Sequence, residues 1–277
     1  MSAAESFASS VVARLTILAA SSWLAACAGQ VVKPSLSPLK PRADALLLLP
    51  GFGYSRAGGN ALRSLAPAMG GEGVDLYVPD YVTRSGLIES GAKLERFIRE
   101  NQLDRYERLH VFAFIAGAWT FNPLVERIEL RNLTSVIYDR SPLQERAPGI
   151  AADTLRLLTW VKYGSTVFDL ARTPYAPLTA PTVKVALMVE STPTSFIRRY
   201  EREAREHGPF RFECDAFLQR YDDCLYLPMN HDELYVRFAE AWPELLTFIR
   251  AGRFTSAADR TPPVGDPFAR QRPHRLP

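Results

Sequence analysis

The side chains able to do chemistry fall at a few corners of this sequence. His231 sits in "PMNHDELY" (228–235), between an apolar run and a helical pattern. Histidine titrates near neutral pH, so at such a corner it can act as a base toward a hydroxyl or a bound water. The plainer role for a loop histidine just before a helix is to help cap it, as Asp232 also could. Two serines follow apolar runs in the same way: Ser55 after "ALLLLPGFGY" and Ser191 after "ALMVE". Each is as well suited to hydrogen-bonding its own backbone. Carboxylates close two further runs, Asp139 in "TSVIYD" and Glu190 in "VKVALMVE". Arg140 adjoins Asp139, which favours a structural ion pair between them. His110 on an apolar run, His207 in a charged helix end and His274 near the C-terminus offer less. A further corner, "LHVFAFIAGAWTF" (109–121), has small residues at Ala116, Gly117 and Ala118 but no hydroxyl before Thr120.

These residues share a position, because each follows a strand-like run. Such runs occur at 45–50, 74–81, 109–114, 134–139, 183–190 and 224–229, most of them continuously hydrophobic, as strands covered on both faces must be. Helical patterns fall between them at 59–69, 88–102, 122–129, 195–206 and 233–250. The alternation predicts an α/β fold: a mostly parallel central sheet with helices on both faces. Sites in such sheets lie beyond the carboxyl ends of the strands. The longest gap, 141–181, contains "ADTLRLLTWVKYGSTVFDL", with Leu155, Leu158 and Val161 on one stripe and Leu157 and Trp160 nearby. That segment is either an amphipathic helix packed on the sheet or a short helical cap offering an apolar wall to a ligand.

Taken together, residues 44–250 resemble the α/β-hydrolase superfamily. "LLLLPGFGYSRAGGNALRSLAPAM" is similar to the first strand and oxyanion loop, with Pro50-Gly51-Phe52-Gly53 where H-G-x-G is usual. "LHVFAFIAG" falls where the nucleophile elbow belongs, and "CLYLPMNHDELY" where the catalytic histidine is presented. The resemblance implies His231 as the residual catalytic candidate, Asp139 or Glu190 as its acid, and the N–H groups of Phe52 and Ala116 as oxyanion donors. It also assigns Ala113-Phe114-Ile115-Ala116-Gly117 to the G-x-S-x-G positions, so Ile115 stands where the serine should be. Isoleucine cannot attack a carbonyl, and losing that nucleophile costs roughly 10⁶ in turnover in a serine hydrolase. Thr120 and Thr134 lie away from any strand-to-helix corner. A ligand pocket lined by Phe52, Phe114, Ile115 and Trp160 is the corresponding expectation for a binding protein.

The totals are compatible with this. The 277 residues are 47% hydrophobic, and Lys+Arg exceed Asp+Glu by only 33 to 30. That excess excludes a nucleic-acid partner as an expectation. Near the N-terminus, Arg14 precedes a short apolar stretch ending in Leu24-Ala25-Ala26-Cys27, which resembles a bacterial lipobox. The expected organisation is a lipoprotein signal peptide at 1–26, a lipidated Cys27 with a Pro-rich tether to 43, the hydrolase-like domain at 44–250, and a disordered Pro/Arg-rich tail at 251–277. Ala28 after the cysteine points by family analogy to the outer membrane, facing the periplasm. With Cys27 acylated, Cys214 and Cys224 remain; in an oxidising compartment an even pair reads as a disulfide, the alternative being two buried thiols. No metal site or cofactor is expected. Three functions remain open: an inactive hydrolase scaffold in the cell envelope that binds an apolar small molecule or an envelope protein; an active carboxylesterase with a displaced nucleophile or a His231-activated water; or a structural envelope lipoprotein.

Overall fold

The computed structural model describes residues 43–269. The expected signal peptide, Cys27 and the expected tether before 43 lie outside the described residues, as does the chain from 270. Six strands form one sheet: β1 (Asp44–Leu49), β2 (Val74–Tyr77), β3 (Arg108–Ala113), β4 (Leu133–Arg140), β5 (Lys184–Glu190) and β6 (Asp223–Leu227). Their order is β2-β1-β3-β4-β5-β6, and every pairing is parallel. All six predicted runs are therefore strands. The "DALLLL" of β1 is buried along its whole length, which is why its sequence shows no alternation.

Helices cover both faces. On one, α1 (Arg56–Gly71) packs beside α9 (His231–Val236) and α10 (Phe238–Ala251) over Leu46, Leu48, Phe112, Ile137 and Met188. On the other, α2 (Leu87–Glu100) and α3 (Ile115–Val125) pack over Leu47, Leu49, Val111, Val136 and Leu187. Adjacent strand residues thus feed opposite cores. The gap after β4 holds three short helices, α4 (Ala147–Thr154), α5 (Arg156–Tyr163) and α6 (Thr166–Arg172). This cap is tied to the loop before α2: Thr166 Oγ1 accepts from Gly86 N–H at 3.0 Å and Asp169 Oδ2 from Leu87 N–H at 3.1 Å. Two further short helices, α7 (Ser195–Arg199) and α8 (Glu201–Glu206), follow β5.

Three expectations change in detail. The helix read at 122–129 begins at Ile115, directly after β3, because its first two turns are buried nearly all round and carry no amphipathic signal. The helix read at 233–250 is two helices divided at Arg237. The segment assigned to the tail from 251 is anchored at Phe254 and Phe268, with exposed residues between them. Its apolar anchor Phe254 is buried against Phe248, with ring centroids 5.2 Å apart, and Arg260 pairs with Asp223 at 2.8 Å. Cys214 and Cys224 form a disulfide, with Cα atoms 6.6 Å apart. Among the described residues no helix is long and apolar enough to cross a membrane.

Candidate functional site

Parity along the strands assembles the site. Asp139 lies two residues beyond Ile137, and Glu190 two beyond Met188; both therefore face the core of α1, α9 and α10. Asp139 also pairs in register with Met188. Arg140, the next residue, faces the other way. There it pairs with Glu145 and lies 4.2 Å from the Tyr175 ring centroid. The adjacent pairing of Asp139 with Arg140 is thus replaced: strand neighbours point to opposite faces, and each finds its own partner.

His231 is the first residue of α9. The cap of this helix is neither His231 nor Asp232 but Asn230, whose side chain accepts from Glu233 N–H at 3.0 Å while Glu233 accepts from Asn230 N–H at 3.0 Å. Relieved of capping, the imidazole turns inward. Its Nδ1 lies 2.7 Å from Asp139 Oδ2 and 3.6 Å from Glu190 Oε2. Both carboxylates are completely buried and His231 is nearly so. The site therefore contains both acid candidates, with Asp139 the nearer.

Burial decides the charges. It would lower the His231 pKa, but the adjacent Asp139 and Glu190 carboxylates outweigh it and hold the imidazole well above 6.5. Burial, reinforced by the Asp139 charge, pushes Glu190 well above the ordinary carboxylate range. Burial raises Asp139 too, against the opposing pull of His231. Two arrangements of the three buried groups carry no net charge: all three neutral, or an imidazolium with an Asp139 carboxylate and a protonated Glu190; the 2.7 Å His231–Asp139 contact favours the second, and this is the state we assign. The three also offer donor atoms within 4.8 Å of one another, a possible cation set. Two ligands at right angles on one ion stand on the order of 3 Å apart. The 2.7 Å contact is shorter, as befits a direct charge pair.

The corner after β3 has neither a hydroxyl nor a strained turn. Phe114 has an extended backbone (φ −68°, ψ 168°), and Ile115 is already helical. Among the described residues the only non-glycine residues with positive φ are Gln102 and Leu218, so the strained elbow that exposes a nucleophile is missing as well. Gly117 remains for a packing reason: a Cβ there would lie 2.7 Å from the Leu49 Cβ and 2.8 Å from the Leu49 carbonyl.

Sequence reasoning missed Tyr235, one helical turn after His231. Its ring stacks on Phe114 with centroids 4.0 Å apart, and its hydroxyl accepts from Gly51 N–H at 2.6 Å. A Cβ on Gly51 would lie 3.5 Å from that hydroxyl and 3.6 Å from the Ala116 nitrogen. A phenol thus packs against the loop after β1, close to the first turn of α3. The i, i+4 spacing of His231 and Tyr235 was the available signal.

The remaining candidates are placed as follows. Phe114 is fully buried, with its ring 5.0 Å from that of His231, and Ile115 and Ala116 are buried beside it. Phe52 meets the cap edge-on through Tyr163, with centroids 4.9 Å apart. Trp160 is not brought to this cluster; it stands 58% exposed on the outside of the cap. The nearby hydroxyls serve the backbone. Ser55 accepts from Gly58 N–H as the cap of α1, Ser191 donates to the Leu227 carbonyl at 3.0 Å, Thr120 to Ala116, and Thr134 to Asn132.

No protein-family model matches the sequence, and comparison with curated proteins returns no match. Solved structures do match. The mature form of the lipase BlEst2 from Bacillus licheniformis superposes with a TM-score of 0.59 at 13% identity, covering 80% of this chain and 98% of that one. Est1E from Butyrivibrio proteoclasticus (TM-score 0.45, 13% identity, 80% and 93% coverage) and the type II thioesterase BorB from the borrelidin biosynthetic cluster (0.48, 13%, 79% and 95%) match more distantly. The parallel sheet, its helical layers and the superposition on the lipase together show that this chain has the α/β-hydrolase fold.

Proposed function

We propose that this protein is an α/β-hydrolase-fold lipoprotein of the bacterial cell envelope that has no serine-hydrolase chemistry and acts by binding. The observation that carries the reading is the Tyr235 hydroxyl on Gly51 N–H. An oxyanion hole works by keeping donors aimed at a developing charge; the donors expected here are the Phe52 and Ala116 N–H groups, and Tyr235 occupies the neighbouring N–H of the same loop, Gly51. Ile115 at the elbow and its unstrained backbone support the same conclusion. Anchoring rests on the Leu24-Ala25-Ala26-Cys27 sequence, with the acyl chains holding the protein to the outer membrane on its periplasmic side. What it binds is an apolar small molecule or an envelope protein.

The 2.7 Å His231–Asp139 pair supports a second reading, hydrolysis by a water activated at His231. The two buried carboxylates beside His231 weigh against this reading, because they raise its pKa and so favour the protonated imidazole, which accepts no proton. The test is turnover of short- and long-chain p-nitrophenyl esters by the wild type beside His231→Ala. Equal rates at the buffer background are expected. Turnover that rises with pH and disappears in His231→Ala would establish the second reading instead.

A further inference from the structure

The cap carries an amphipathic helix that faces the wrong way for a core. α5 reads Arg156-Leu157-Leu158-Thr159-Trp160-Val161-Lys162-Tyr163. At 100° per residue, Leu157, Leu158, Trp160 and Val161 fall within an arc of about 160°. That arc points to solvent: Leu157 is 74% exposed, Leu158 51% and Val161 48%, alongside Trp160. The polar residue of the helix is the one turned inward. Thr159 is buried, with its hydroxyl donating to the Ala151 carbonyl at 2.8 Å. Ile88, 85% exposed at the start of α2, lies on the element to which the cap is tied.

We infer that α5 is a membrane-docking helix that lays this arc on an anionic phospholipid surface. The cations favour lipid. Arg156 and Lys162 flank the arc on its two sides, and the helix contains no carboxylate. Arg84, also exposed, donates to the Val161 carbonyl at 2.7 Å and adds a third positive charge at the C-terminal end. An apolar arc with tryptophan at its edge and long basic side chains beside it is the composition of a helix that lies in the headgroup layer. The area argues against a second copy of this chain. Five such side chains offer on the order of 500 Å², short of the ~800 Å² that each partner contributes to a stable interface. The chain before the described domain allows the docking. The chain length from Cys27 to Ala43 permits a reach of at most about 50 Å, while a six-residue strand such as β1 spans only about 20 Å. A domain entered at the amino end of β1 can therefore turn its cap to the bilayer that holds Cys27. The inference rests on the envelope anchoring of the proposed function and is independent of the inactive elbow.

The test uses the full chain with a solvatochromic amino acid placed at position 157, and a second protein with the same probe at position 129, where Glu129 is 72% exposed beyond the C-terminal end of α3. Each is mixed with phosphatidylcholine vesicles, with or without about 30% phosphatidylglycerol, that contain acyl-chain nitroxide quencher. In anionic vesicles the probe at 157 is expected to shift to the blue and lose at least about half its emission to the quencher, while the probe at 129 stays aqueous. A Leu157→Glu/Trp160→Glu variant should retain the far-ultraviolet spectrum of the wild type and lower the quenched fraction about tenfold. Aqueous emission at 157 in both vesicle types, or equal quenching at 157 and 129, overturns the proposal. So does a blue shift that appears without vesicles and grows with protein concentration, which would assign the face to a second copy. Ester turnover is not part of this readout, so failure here is distinguishable from failure of the inactive-scaffold reading.

Discussion

Ile115 cannot attack a carbonyl, and it is buried in an unstrained first turn of α3. Restoring the hydroxyl alone is therefore insufficient. Ile115→Ser should leave p-nitrophenyl ester turnover within about tenfold of background, against the roughly 10⁶ that a working nucleophile contributes; a rate far above that would mean the elbow forms on demand. Tyr235→Phe should lower stability by about 1–3 kcal/mol in urea denaturation, because it leaves the Gly51 N–H without its acceptor. The two acids should respond unequally. Glu190, assigned as protonated, should tolerate Glu190→Gln at a cost below about 1 kcal/mol, whereas Asp139→Asn deprives the imidazolium assigned beside it of its counter-charge and should cost about 3 kcal/mol or more. Equal losses in the two melts would refute the assigned charges. The pH dependence has a definite sign. Because the folded pKa of His231 lies above its unfolded value, the pairing stabilises fully below about pH 6.5 and is lost as pH rises through the folded value. Imidazole NMR should show His231 charged at pH 7.5 in the wild type and titrating lower in Asp139→Asn.

At the level of elements, the strands were legible and some of the helices were not. Continuous apolar runs such as "ALLLL" identify strands buried on both faces. The same property hid the start of α3, where Ile115 to Ala118 are buried all round and no periodicity marks a helix. Its seat against β1 depends on Gly117. Gly117→Ala would drive a methyl into Leu49 and should destabilise by about 1–3 kcal/mol in the same denaturation assay. The cap shows the converse. Its apolar stripe was readable in the sequence, but periodicity gives a helix a face without saying what that face meets.

For the molecule as a whole, the disulfide closes the segment between α8 and β6, and β6 is an edge strand of the sheet. Replacing both cysteines by serine should lower stability by about 2–3 kcal/mol, seen as a lower midpoint in urea that matches the reduced wild type. His231 stands just beyond β6, so the disulfide secures the strand that leads into the site.

The sequence alone determined the fold class, because the alternation of buried strands with helices admits few arrangements other than a parallel sheet wrapped on both faces. It also determined that position 115 has no hydroxyl. Only the tertiary structure decided that Asp139 and Glu190 meet the same histidine, since that depends on the relative stagger of β4 and β5. Only it decided that a tyrosine 184 residues away holds the Gly51 N–H and that α5 turns its leucines outward. Local patterns record which side chains share a face; long-range packing determines what that face touches.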